Sequence, residues 1–330
     1  SYSRSGSYSY RNSGEYAYSG SYGYSYGCWG GRDRSYSYSR SYDYSYSRDY
    51  GNHSRSWEYS YDGGIQSTGV AKGLENSNVD TGKGDDNVLV ETVGSLKAIG
   101  LDQSSLDTGK GHDTVDLIAE ALDNKQGSAI GLKDSCLNTG KGDDSIYIAA
   151  LGTQEQTALS NSTISTGDGA DYLTVEGDIT GSKINMGKGD DTVDLFGGGN
   201  SLTYAGAGHD AITGGDGNDT IYGECGHDTL TGNNGNDSIH GGSGDDLIDG
   251  GIGFDVLYGG CGADTFILNC GTGFATIADF EVGSDILTFA DTTNIRMEFK
   301  NSDSLFYSGT DYLGIAKGVE LSEQKDGSFV

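Results

Sequence analysis

The chain contains no proline in 330 residues, yet it holds 57 glycines. Glycine at that density without proline excludes collagen and does not describe an ordinary linker. Long apolar runs are missing too. None approaches the ~18 residues a membrane helix needs, so no membrane insertion is expected. Basic residues are scarce, 20 against 49 acidic ones, for a net charge of −29. A surface this acidic repels phosphates, which argues against nucleic acid as a partner of the bulk of the chain. One G-x-S-x-G string occurs, at residues 23–27 within a Ser/Tyr-rich stretch, and no H-E-x-x-H pair does, and no enzyme is expected.

The charge is unevenly spread. Residues 1–62 carry six acids, seven arginines and no lysine. The other 43 acids and 13 bases lie in residues 63–330, a net of −30. Sixteen of the 23 tyrosines lie in the first stretch. These are two different materials.

From Ala205 to Ile267 the chain divides without a gap into seven nonapeptides: AGAGHDAIT, GGDGNDTIY, GECGHDTLT, GNNGNDSIH, GGSGDDLID, GGIGFDVLY and GGCGADTFI. The sixth position is always aspartate: Asp210, Asp219, Asp228, Asp237, Asp246, Asp255 and Asp264. The eighth is always apolar: Ile212, Ile221, Leu230, Ile239, Ile248, Leu257 and Phe266. Glycines at positions two and four let the backbone turn where side chains forbid it. Such a turn offers carbonyl oxygens, and the aspartate adds a charged one. Oxygen donors in a flexible loop suit calcium, which takes 6–8 of them, better than magnesium with its tight octahedron. The three residues after each turn read as a short strand with its middle side chain inward. Stacked coils of turn, strand, turn, strand would bury a line of Ile and Leu.

These nonapeptides resemble the repeats-in-toxin (RTX) calcium-binding β-roll family, whose motif is G-G-x-G-x-D-x-U-x. The match is closest at residues 214–222 and 241–249. GECGHDTLT and GNNGNDSIH lack the second glycine and AGAGHDAIT the first, which marks them as weaker half-sites. The resemblance implies a parallel β-roll with calcium between the turns of successive coils, and secretion from a bacterium.

The same turn recurs upstream as TGKGDDNV, TGKGHDTV, TGKGDDSI, TGDGADYL and MGKGDDTV, with aspartates at Asp86, Asp113, Asp144, Asp171 and Asp191. The spacing shrinks from 27 and 31 residues to 18, which reads as a solenoid whose coil contracts. AIGLDQSSLDTG, AIGLKDSCLNTG and ALSNSTISTG repeat on the opposite side, each as strand, polar turn, strand. One column of turns would then run from Asp86 to Asp264, and a second would hold Asp219, Asp237 and Asp255. All twelve aspartates are candidate metal ligands, with about ten calcium ions as the ceiling.

The fold expected is therefore all-β. It comprises a Ser/Tyr-rich extended β segment over residues 1–62, a wide-coil β-solenoid over 63–204, a nonapeptide roll over 205–267 and a β cap over 268–330. The cap resembles the region that follows such rolls in the family, with Asp279, Phe280, Gly283 and Asp285 in familiar places. The resemblance makes it a type I secretion signal, for an extracellular or cell-surface bacterial protein.

In residues 1–62, fourteen tyrosines from Tyr2 to Tyr50 all occupy even positions, and serine fills most odd ones. After Gly51 the phase flips, so that Arg55, Trp57, Tyr59 and Tyr61 are odd. Period two over this length is a strand signal. Gly6, Gly14, Gly20 and the stretch from Gly27 to Gly31 are candidate bends. A disordered, sticky low-complexity tail is the competing reading. Of the five cysteines, Cys28 is the best candidate for a bridge between copies, and buried free thiols are expected of the rest. His112, His209 and His227 sit at the variable fifth position of a turn and read as filler. The function expected is a structural protein that joins identical subunits through residues 1–62 into a filament, sheath or layer. The alternative is a calcium-dependent adhesin with a flexible tail, holding a partner such as a surface glycan.

Overall fold

The computed structural model describes residues 2–10, 15–24, 38–47, 55–60, 70–123, 125–269, 272–290, 295–308 and 311–321. Every regular element among them is a β-strand. The chain divides into two compact units, residues 1–163 with 175–177 and residues 164–174 with 178–330.

The first unit opens with four strands, β1 (Tyr2–Tyr10), β2 (Glu15–Tyr24), β3 (Tyr38–Ser47) and β4 (Arg55–Ser60). They form an antiparallel sheet in the order β1-β2-β3-β4. Its register sets Tyr8 opposite Tyr18 and Tyr10 opposite Tyr16. It also sets Tyr16 opposite Tyr46 and Tyr18 opposite Tyr44. Opposed residues of an antiparallel pair share a face, so the even positions of β1, β2 and β3 form one face. The phase flip after Gly51 keeps β4 in step, because Tyr59 meets Tyr42 and Trp57 meets Tyr44. Gly6 and Gly20 are not bends. They lie inside strands and face each other. Gly14 and the Gly27–Gly31 stretch fall outside the described residues.

The rest of the first unit is a parallel solenoid with three strands per coil. One coil comprises Asn87–Gly94, Lys97–Asp102 and Ser105–Asp107, and the next Thr114–Ala121, Ser128–Lys133 and Cys136–Lys141. Alternation decides which side chains enter: Val115, Leu117, Ala119 and Ala121 are buried while their neighbours are not. In register, Val115 stacks between Val88 and Ile146, and Leu132 between Leu101 and Leu159. Each such side chain stabilises the fold by roughly 1.5–3 kcal/mol.

In the second unit the coils become narrow, with two strands each, as in Thr220–Cys225 with Thr229–Thr231 and Ser238–Ser243 with Leu247–Asp249. The eighth-position residues form two stacked rows. Ile212, Leu230, Ile248 and Phe266 run through one sheet. Ile221, Ile239 and Leu257 run through the other. All seven are at most 1 % exposed. The roll ends in Phe274–Ile277, Ile286–Phe289 and an antiparallel trio, Ile295–Lys300, Asp303–Ser308 and Asp311–Ala316. The last of these pairs in parallel with Phe274–Ile277, which covers a sheet edge that would otherwise stand open.

Candidate metal centre

All twelve candidate aspartates are buried, each no more than 2 % exposed. They stand at the turns and are strung together through backbone amides. In the first unit the Asp86 amide donates to Asp113 Oδ1 and the Asp113 amide to Asp144 Oδ1, both at 2.8 Å. In the second, Asp171, Asp191, Asp210, Asp228, Asp246 and Asp264 each donate to the next carboxylate, the last to Asp285 at 3.0 Å. Asp285 is thus a further rung of this column. Its signal was G-x-D followed by an apolar residue two places on, set 21 residues after Asp264 where the roll's own spacing is 18.

The other column passes from Asp219 to Asp237 to Asp255 in the same way. The amide of Ser201 donates to Asp219 Oδ1 at 2.7 Å, so serine precedes aspartate at this corner. In the first unit this corner is a serine ladder, Ser77 to Ser104 to Ser135 to Ser162, each amide donating to the next hydroxyl. The sequence held the hint in N-S-L and D-S-C-L beside N-D-T-I. Serine is common in any turn, and only the coil alignment shows that it stands in the aspartate's place.

The fifth position carries a second, outer ladder. His209 Nδ1 accepts the His227 amide, His227 Nδ1 the Asp245 amide, and Asp245 Oδ1 the Ala263 amide. His112 Nδ1 does the same for Asp143. The histidines are therefore ladder acceptors rather than filler. Asn200, Asn218 and Asn236 play that part at the other corner. Cys136, Cys225 and Cys261 are free and exposed rather than buried. Cys28 and Cys270 lie outside the described residues.

The second carboxylate oxygen has no hydrogen-bond partner on Asp86, Asp113, Asp191 and Asp210, nor on Asp219, Asp228, Asp237, Asp246 and Asp255, whose turns are headed by glycine. Burial, and then neighbouring carboxylates, push Asp237 and Asp246 up to about 7 from an ordinary 3.8. Burial also pushes Asp255 and Asp264 up to about 6. A buried anionic oxygen without a donor is costly, and a proton or a cation relieves it. Beside each of the five from Asp219 to Asp255 stands the glycine that heads the turn. A Cβ on Gly223 would lie 2.4 Å from Asp228 Oδ2 and 2.4 Å from the carbonyl oxygen of Gly241, one coil on. Two unprotonated oxygens from different coils thus converge beside a residue without a side chain, a donor set that suits a hard cation. Among the described residues no three His, Cys, Asp or Glu side chains gather. A cation here relies on backbone carbonyls beside one carboxylate per turn.

Residues 197–230, 204–239, 226–257 and 240–269 each match the RTX calcium-binding nonapeptide repeat. Residues 197–269 are RTX repeats. No curated protein matches the chain. The RTX turn survives the two missing second glycines, because Glu224 and Asn233 take φ of 73° and 75° in their place. In the RTX region the carboxylates and carbonyls would hold calcium, which when bound supplies the positive charge that the coils lack.

Proposed function

We propose that this is a secreted, calcium-dependent structural protein whose residues 1–62 join identical copies into a filament, sheath or surface layer. The observation that carries the reading is the register of β1–β4, which brings tyrosine opposite tyrosine across successive strands. Cross-strand aromatic pairs contribute ~0.2–1 kcal/mol each. Among the described residues no strand pairs with the outer side of β1, and an unpaired edge is a template for another chain. The near-neutral charge of residues 1–62 permits close approach, while the acidic coils keep neighbouring assemblies apart. Millimolar extracellular calcium matches the weak range of such sites. Export through the C-terminal region, by the type I route, accords with the RTX repeats.

Deleting residues 1–62 should abolish assemblies seen by electron microscopy and leave a calcium-binding monomer in sedimentation. If the shortened protein builds the same assemblies, the coils make the contacts and the reading falls.

One feature favours the adhesin alternative. Phe254, 60 % exposed, continues through Phe274 and Tyr312 to Tyr307, whose ring is covered by Arg296 at 4.7 Å. A full-length protein that stays monomeric and is retained on a glycan surface would favour that alternative.

A further inference from the structure

The residue that heads each turn sorts the turns into two kinds. Gly214, Gly223, Gly232, Gly241, Gly250 and Gly259 head the six RTX turns from residue 214 onward. None of these six has a positive φ, so backbone conformation does not demand glycine there. Room does. A Cβ on Gly232 would stand 2.3 Å from Asp237 Oδ2 and 2.6 Å from the Gly250 carbonyl oxygen. On Gly241 it would stand 2.3 Å from Asp246 Oδ2 and 2.7 Å from the Gly259 carbonyl oxygen. Gly214 stands likewise between Asp219 Oδ2 and the Gly232 carbonyl oxygen.

The upstream turns are headed by side chains: Thr81, Thr108, Thr139, Thr166, Met186 and Ala205. The Thr81 hydroxyl donates to the Thr108 carbonyl at 3.2 Å, and the Thr108 hydroxyl to the Thr139 carbonyl at 3.3 Å. The Thr166 hydroxyl donates to the Met186 carbonyl in the second unit. These hydroxyls occupy the space between one coil's carboxylate and the next coil's carbonyl that the RTX turns leave open. Each hydroxyl brings its own donor to the carbonyl and fills the room beside it, while Asp86 and Asp113 keep an oxygen without a hydrogen-bond partner.

Given the calcium reading above, we infer that this chain holds calcium only between glycine-headed turns. The upstream turns are filled by side chains instead, by threonine at four of them and by Met186 and Ala205 at the other two. Three glycine-headed turns in each column enclose two gaps, so the two columns offer four sites, well short of ten. Asp86, Asp113, Asp144, Asp171, Asp191 and Asp210 are then structural rungs, and the wide coils hold their ladder without metal.

Equilibrium dialysis of the full chain against calcium, followed by elemental analysis, should return about four ions per chain. Eight to ten ions would overturn the inference and leave the calcium reading standing, whereas none would overturn both. Gly232→Ala should lower the count by one, and Thr108→Ala should leave it unchanged. A drop in the Thr108→Ala variant would place metal at the threonine turns and overturn the assignment. Hydrogen exchange of the full wild-type chain in excess chelator gives a readout without any variant. The amides of Asp86 and Asp113 should stay protected while those of Asp219, Asp228 and Asp237 lose at least tenfold. Equal loss at both sets would overturn the inference.

Discussion

At position two of the RTX turn the backbone, not the space, sets the residue. Gly242, one coil on from Glu224, has φ of 116°. Glu224 takes the same turn at a steric cost of roughly 1–2 kcal/mol for an L-residue. Asn233 pays less, since asparagine tolerates that region. Glu224→Gly should therefore stabilise the calcium-loaded roll, by under ~1 kcal/mol once the extra freedom of the unfolded chain is counted. Gly242→Ala should do the reverse, since its Cβ would stand 2.3 Å from the Glu224 carbonyl oxygen. Urea midpoints in calcium would show both. A Glu224→Gly variant weaker than wild type would mean the glutamate side chain makes a contact worth more than the strain.

At the scale of the element, the serine ladder shows how a corner closes without charge. Ser135 Oγ accepts the Ser104 amide and donates to the Lys133 carbonyl. Ser135→Ala would leave a buried amide unanswered, at about 1–3 kcal/mol. Denaturation of the full chain, with exchange at Ser104 as the local probe, should find that loss. An unchanged Ser104 exchange rate would mean that water replaces the hydroxyl. The columns of aspartate were legible in the sequence because a fixed register repeats them. The third strand of the wide coils was legible because A-I-G-L recurs. The head of the turn was not, since weighing glycines only at positions two and four ignores what position one leaves vacant. The tail strands were legible from tyrosine parity. The places of Gly6 and Gly20 were not, because glycine marks a bend by frequency while here it pairs with itself across strands.

At the scale of the whole molecule, stability and pH are tied through the carboxylates. Burial first, and then like charges, push Asp237 and Asp246 up to about 7 and Asp264 to about 6, from an ordinary 3.8. Without metal the folded roll binds these protons more tightly than the unfolded chain does. Their stabilising effect is complete below about 3.8 and is lost as pH climbs through 6 and 7. In excess chelator the part of the circular dichroism β signal that the roll contributes should persist at pH 4–5 and fade by pH 8, while the wide coils keep theirs. Calcium should hold it at pH 8, because the cation takes over from the proton at the glycine-headed turns. A chelated protein whose β signal ignores pH over this range would contradict that coupling.

The amide ladder also has a grain. Each sixth-position aspartate amide in the roll donates forward, to the coil that follows it, while the amides of the outer ladder and of the residue after each aspartate donate backward. The series ends at Asp285, whose own amide is answered within its turn by the Glu281 carbonyl and whose Oδ2 accepts the Glu281 amide. A coil with no successor is left with an unanswered aspartate amide at its corner, and a coil with no predecessor with unanswered amides beside it, such as those of His227 and Thr229. The cap therefore has to supply the last acceptor of the aspartate ladder, and Asp285 does so. Under tension the two directions differ in the same way. A pull from the cap strips the acceptors of the aspartate amides, and a pull from the earlier coils strips those of the outer ladder and of the amide after each aspartate, so the two ends fail by losing different bonds.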